Sequence, residues 1–261
     1  MLNIDLTYSL AGAGTGFLVG LTGVGGGALM TPMLMWLFGV APLTAVATDL
    51  WFAAITKLLG ARVHHQHDAV DWQVVRRLWA GSLPVAMLVV LTVILGGPLQ
   101  QVDWLKQAIG LVIMVTACGL LVAPTLQRLA RARRLGAPER FKHWQPLLTV
   151  LSGAVLGLCV ALTSVGAGAL GSVMLLYLYP LRMKPHRLVA TDLVHAIPLA
   201  MVAGLGYLLA GKVDLDLLCS LLLGSLPAVL LGAKLATVLN GRWLQMLLAV
   251  VLLLVGLKSL L

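Results

Sequence analysis

The nine residues LTGVGGGAL at Leu21 to Leu29 return as LTSVGAGAL at Leu162 to Leu170, and that return belongs to a longer register. VATDL stands at Val46 to Leu50 and again at Val189 to Leu193, and GSLP begins at Gly81 and again at Gly224. The offset is 141 residues for the first pair and 143 for the other two, so a two-residue insertion near Tyr179 and Pro180 accounts for the drift. Val70-Asp71 matches Val213-Asp214 at 143, and Trp104-Leu105 matches Trp243-Leu244 at 139. Collinear matches that include Asp and Pro, both scarce in apolar sequence, are not chance likeness among small residues. The chain is read as two copies of one unit, 3–123 and 147–261, joined by a basic linker, 124–146.

What each unit must fold into follows from its solvent. With 60% hydrophobic and 10% charged residues, a mean hydropathy of +1.01 and nine acidic residues in 261, the chain cannot clothe a water-facing surface. An ordinary cytosolic enzyme is excluded, and an all-α integral membrane protein is implied. Stretches fit to cross a bilayer run from Leu43 to Gly60, Leu78 to Gly97, Trp104 to Ala123, Leu188 to Ala210, Leu215 to Leu239 and Trp243 to Leu261. The formal charge of +9 lies in short loops between apolar runs, so it orients the chain in the membrane and does not bind nucleic acid. Cys118, Cys159 and Cys219 sit in apolar runs without metal-ligand spacing and read as small buried hydrophobes. No cleaved leader is expected, since Asp5 is acidic and the first apolar run leads straight into glycines.

Two further stretches, Tyr8 to Phe38 and Leu147 to Tyr179, are longer and are broken near the middle by glycines and small polar residues. Ser9 to Leu21 makes about 20 Å of helix and Ala28 to Phe38 about 16 Å, so each arm is expected to reach only the midplane. As re-entrant hairpins they leave three full crossings per copy, an odd number, and the copies lie upside down relative to one another. Charge counting favours this arrangement. It puts 15 of the 18 Lys and Arg residues in inner loops, including Arg128, Arg131, Arg133, Arg134, Arg140 and Lys142 of the linker, whereas simple crossings leave 12 inside. The expected fold is therefore two inverted repeats, each a broken helical hairpin plus three transmembrane helices, with a cytoplasmic linker.

Thr22, Gly23, Gly25, Gly26 and Gly27 form one hairpin tip, and Thr163, Ser164, Gly166 and Gly168 form the other. Non-helical backbone at membrane depth must be buried in protein or line a cavity. Helix N-termini starting at such tips present free N–H groups and positive dipole ends, and glycines let a ligand approach the backbone. Together with the hydroxyls of Thr22, Thr163 and Ser164, these features suit an oxyanion; the competing reading is that the glycines only allow tight helix packing. GVGGGA is not a dinucleotide fingerprint, because no strand precedes it and no acidic residue follows on another strand.

Asp49 and Asp192 are intramembrane carboxylates at matching repeat positions, preceded by Thr48 and Thr191. Either they take up and release protons, or they cap the free N–H groups of a half-helix; one residue can do both. His195 lies one turn beyond Asp192 where the first copy has Phe52, and it reads first as a packing histidine. Lys57, two turns beyond Asp49, is expected to snorkel to the cytoplasmic edge. His64, His65, His67 and Asp68 lack a second ligand set, so no metal is expected.

LTGVGGGALMTP, ATDLWFAAITK, VDWQVVRRLWAGSLP and the duplicated half resemble the TauE/SafE family of sulfite exporters, also called the TSUP transporters, over nearly the whole chain. The resemblance implies a secondary transporter in the bacterial inner membrane, exporting sulfite or related organosulfur oxyanions and coupled to protons, with no cofactor. Ser164 for Gly23, Ala167 for Gly26 and Ala200 for Lys57 mark where the second copy departs from the first. Two alternatives stand beside it. One is an intramembrane enzyme acting on an anionic or lipid-borne substrate, for which Asp49 and Asp192 are the acid-base candidates; the other is a passive anion channel. Association of the chain with further copies of itself is left open.

Overall fold

The computed structural model of the chain describes residues 5–22, 27–63, 70–95, 102–136, 138–183, 185–236 and 241–260. These form ten helices and no strand: α1 (Leu6–Thr22), α2 (Gly27–Leu37), α3 (Pro42–Val63), α4 (Trp72–Ile94), α5 (Val102–Gly136), α6 (Pro138–Thr163), α7 (Ala169–Leu178), α8 (Pro185–Leu209), α9 (Leu215–Ala236) and α10 (Gly241–Leu260). Six of them, α3, α4, α5, α6, α8 and α9, are long and apolar enough to cross a membrane. Their outer faces carry exposed Leu, Met and Val side chains such as Met87, Leu88, Leu111, Val115, Leu223 and Leu231, which is what a lipid-facing surface requires. The chain is an all-α, multi-pass membrane protein.

The helices do not pack copy by copy. With α1 to α5 matched to α6 to α10, α1 lies against α9 while α6 lies against α4; α3 also packs on α9 while α8 packs on α4. The matched pairs α3 with α8 and α5 with α10 meet each other. Each broken segment is thus seated on a helix of the other copy.

Glycine sets these seams. A Cβ on Gly16 would come 2.7 Å from Ser225 Cα, and one on Gly157 would come 2.7 Å from Ser82 Cα, at positions matched by the 141- and 143-residue offsets. Gly12 faces Leu221 as Gly153 faces Leu78, while Gly224 and Gly81 close the same seams from α9 and α4. In lipid there is no hydrophobic drive between helices, so association rests on contact area, and small residues supply it by letting backbones meet.

The same register gives direction. Gly12, Gly16 and Gly20 of α1 meet Leu221, Ser225 and Val229 of α9 in order, so the two helices run parallel. Leu78 and Ser82 of α4 meet Gly153 and Gly157 of α6 in order. Ser82 and Val90 of α4 meet His195 and Gly206 of α8 in order as well. Because α6 and α8 both run alongside α4 in its direction, α7 between them runs back.

Two sequence expectations change. Residues 124–136 continue α5 and residues 138–146 begin α6, so the boundaries expected at 124 and 146 are not ends of helices. The outgoing arms are also longer than a half-crossing. The 17 residues of α1 make about 26 Å, and the 21-residue apolar span of α6, His143–Thr163, makes about 31 Å, whereas α2 and α7 have 11 and 10 residues. Of the two arms, the return helices alone have the half-crossing length expected of both.

Gly14 lies on the same helix as Gly12 and Gly16, and a Cβ there meets nothing within 4 Å. Gly16→Leu should therefore lower the melting temperature of the detergent-solubilised protein by several degrees, the overpacking cost being about 1–3 kcal/mol, while Gly14→Leu leaves it unchanged. Equal melting of the two variants would remove the seam from the account of stability.

Candidate functional site

The second tip is a tightly wound connection. Thr163 ends α6 with its hydroxyl donating to the Cys159 carbonyl at 2.6 Å and accepting the Val165 amide at 3.1 Å. Ser164 follows with φ 58°, a left-handed conformation rare for a residue other than glycine, and its counterpart in the first copy is Gly23. Gly166 and Gly168 have φ 124° and 115°, and their carbonyls accept the amides of Gly171 and Ser172 to start α7. Ser164 Oγ is buried and has no hydrogen-bond partner.

Against this tip stand α3 and α8, each carrying one of the paired carboxylates. Asp49 is wholly buried, and Thr31 of α2 donates its hydroxyl to Asp49 Oδ2 at 2.6 Å. The Ser164 hydroxyl sits beside the same carboxylate without closing a full hydrogen bond. Asp192 is buried with the Gly168 amide at its carboxylate, and α7 packs so closely that a Cβ on Gly171 would lie 2.7 Å from Asp192 Oδ1. Burying a carboxylate demands compensation, yet Asp49 Oδ1 and Asp192 Oδ1 both lack a hydrogen-bond partner.

Lys57 is buried at the same tip, although among the described residues no ion pair joins it directly to either carboxylate. The expectation that it snorkels to the membrane edge is wrong: the residue is 5% exposed, its Nζ donates to the Ala167 carbonyl at 3.2 Å, and the charges acting on it are Asp192 and Asp49. A long flexible side chain reaches whichever partner costs least, and here the Ala167 carbonyl of the buried tip holds the ammonium away from water at the helix end.

The remaining candidates separate. His195 is buried, with Nε2 and the Ser82 hydroxyl 3.0 Å apart, the Trp79 indole donating to its carbonyl at 3.2 Å, and Nδ1 unpartnered. Thr48 and Thr191 hold the copies together. The Thr48 hydroxyl accepts the Asp214 amide ahead of α9 at 3.3 Å, and that of Thr191 accepts the Asp71 amide ahead of α4 at 3.1 Å. Of the hydroxyls expected to face a ligand, that of Thr163 is spent on its own turn and that of Ser164 is not. Gly23, Gly25 and Gly26 lie outside the described residues, as do His64, His65, His67 and Asp68; Thr22 ends α1 and Gly27 opens α2. Cys118, expected inside, is exposed on α5, while Cys159 and Cys219 are half-buried and all three are free.

Sequence reasoning missed Thr31, Lys57 and Ser82. For Thr31 a signal was there: the matching position of the second copy is Ser172, also a hydroxyl. Among the described residues no cluster of His, Cys, Asp or Glu could hold a metal.

This combination of broken helices, duplicated carboxylates and a glycine-rich tip spans the whole chain, and so does its likeness to known proteins. Residues 8–259 match the family model described as "Sulfite exporter TauE/SafE". The chain belongs to the TauE/SafE family. It is 39% identical to the "Probable membrane transporter protein YjnA" of Bacillus subtilis over 98% of this chain and 99% of that one. It is 25% identical to YdhB of the same organism, over 84% and 85%, and 29% identical to a Haemophilus influenzae protein, over 64% and 61%, both described in the same words. No solved structure matches the chain. Within the TauE/SafE family the chain is a membrane transporter and not an enzyme.

Thr31→Val keeps the shape of the side chain but strips Asp49 of the hydroxyl on Oδ2. The variant should lose about 1–3 kcal/mol of stability in detergent unfolding, with Thr31→Ser near wild type. No loss in the valine variant would mean that Asp49 is satisfied from elsewhere.

Proposed function

We propose that the protein is a secondary transporter of sulfite or a related organosulfur oxyanion, coupled to protons through Asp49 and Asp192. The observation that carries this reading is the convergence of two buried carboxylates, one from each copy, on a glycine-rich tip whose Ser164 hydroxyl has no partner. A packing seam would leave no buried polar atoms unsatisfied, because each costs stability without return. A passive channel would have no need of carboxylates closed off from water. The sulfur oxyanion and the outward direction are taken from the family description.

The two copies are inferred to lie in opposite orientation, with rocking of one against the other exposing the tips to each side in turn. Support comes from the parallel run of α4, α6 and α8, which makes α7 double back. The pairing of Arg182 and Arg187 with Asp71, at the same end of the bundle as the start of α6, supports it too. The basic linker then marks the cytoplasmic side. Compartment-sensitive reporters fused to either terminus should report the periplasm, and cytoplasmic signal from both would return the chain to simple crossings.

If the carboxylates relay protons, Asp→Asn keeps their size and most of their hydrogen bonding but removes titration. Asp49→Asn and Asp192→Asn should each bind sulfite, lose pH-driven flux in liposomes and retain exchange between equal pools. Full pH-driven flux in both single variants and in the double variant would reduce the pair to caps.

A further inference from the structure

The two copies repeat the carboxylate but not the cation. At the position matching Lys57 the second copy has Ala200, so a single ammonium group, buried and held on the Ala167 carbonyl of the tip, serves the region of both aspartates. Around it Asp49 Oδ1, Asp192 Oδ1, Ser164 Oγ and His195 Nδ1 are all buried without a hydrogen-bond partner. Of the elements packed on α3, α8 brings Asp192 and His195, and α2 brings Thr31 to Asp49. The tip between α6 and α7 adds Ser164 and the Ala167 carbonyl. Among the described residues, no charged side chain of α5 or α9 acts on Lys57.

From this arrangement, and resting on the transport reading above, we infer that Lys57 is the cation that binds the oxyanion, and that its exchange between the carboxylates and the substrate couples anion to proton. Two carboxylates and one ammonium leave a single negative charge, which a site closed to water does not tolerate, so the resting site holds one proton on the pair. An oxyanion arriving at the tip meets one buried ammonium and the idle Ser164 hydroxyl. When Lys57 turns to it, the ionised aspartate loses its counter-charge and takes a second proton. For a singly charged anion the balance is one proton bound per anion bound, and the loaded site is neutral again. Reversal on the other side releases both. The carboxylates alone cannot do this, since they repel the anion; Lys57 alone cannot, since its charge does not change.

The test uses the full-length protein, with sulfite as probe, in detergent for binding and in liposomes for flux. Wild type should be stabilised by sulfite in thermal melting, and sulfite efflux down its own gradient should carry one proton out per anion and be insensitive to a clamped membrane potential. Lys57→Met should lose sulfite stabilisation at least tenfold in midpoint concentration. Should Lys57→Met fail to fold, Lys57→Met combined with Asp192→Asn restores the charge count and should fold and still not bind. Lys57→Arg should recover binding in part. Wild-type affinity in Lys57→Met, or in the double variant, overturns the role of Lys57 and leaves the transport reading standing. Efflux by wild type that follows the membrane potential overturns the one-to-one balance. Absence of any sulfite response in wild type overturns both readings together.

Discussion

Backbone-to-backbone contact between copies carries the rest of this structure. Lipid gives two apolar helices no reason to prefer each other, so a helix pair in a membrane is held by how closely its surfaces meet. In this chain such close meetings join α1 to α9 and α6 to α4, each made by glycines that abut the backbone of the opposite copy. Because α6 is fixed to α4 of the other copy, the tip that follows it, residues 163–168, is delivered to the interface between copies, beside α3 and α8. The carboxylates on those two helices meet the tip there for the same reason. Remove the exchange, and each copy would bury its own tip against its own helices, with no shared site for both sides of the membrane to reach.

The charges at that interface obey a stricter rule than the packing. A membrane interior tolerates an ionised side chain only when it is paired or reaches water. The carboxylates of Asp49 and Asp192 are satisfied in part by Thr31 and by the Gly168 amide, and Lys57, buried beside them at the tip, places its ammonium on the Ala167 carbonyl. Cation, carboxylates and tip therefore form one electrostatic unit drawn from both copies, and a change at any member is felt by the others. That is the property a coupled transporter needs, and the atoms left without partners lie inside the unit.

How far the sequence disclosed this differs from feature to feature. The repeat, the broken segments, the long apolar helices and the paired aspartates were legible because each is periodic or duplicated, and duplication turns weak signals into a register. The glycines of the seams were visible too, though not which copy each would face; a pattern of small residues states closeness without naming the partner. Lys57 was misread because helix position alone put it near the membrane edge, and the long side chain hides where its charge will settle. Thr48 and Thr191 drew notice as neighbours of the aspartates, yet their hydroxyls serve the starts of α9 and α4. Successive residues on a helix point about 100° apart, so adjacency in sequence is a poor guide to a shared site.

The two copies match in backbone far better than in polar detail, and the mismatch is consistent. Ser82 meets His195 on one seam, where the matching Ser225 has Phe52 as the counterpart of the histidine. Asp71 caps α4 and is bound by Arg182, whose guanidinium donates to Oδ1 at 2.8 Å, with Arg187 at 3.7 Å from Oδ2. Its counterpart Asp214 caps α9 in the same way, accepting the Leu217 amide at 3.0 Å, but Gly39 and Thr44 stand where the two arginines would be. The carboxylate of Asp71 is 1% exposed, so opening that end strands a buried charge, whereas opening the matched end costs no such pair. For a transporter that alternates between two access states, a symmetric backbone makes both states reachable, and asymmetric charges make them unequal. The ion pair at Asp71 is such an asymmetry, since it holds one end of the bundle through a buried carboxylate for which the exposed Asp214 has no matching arginines.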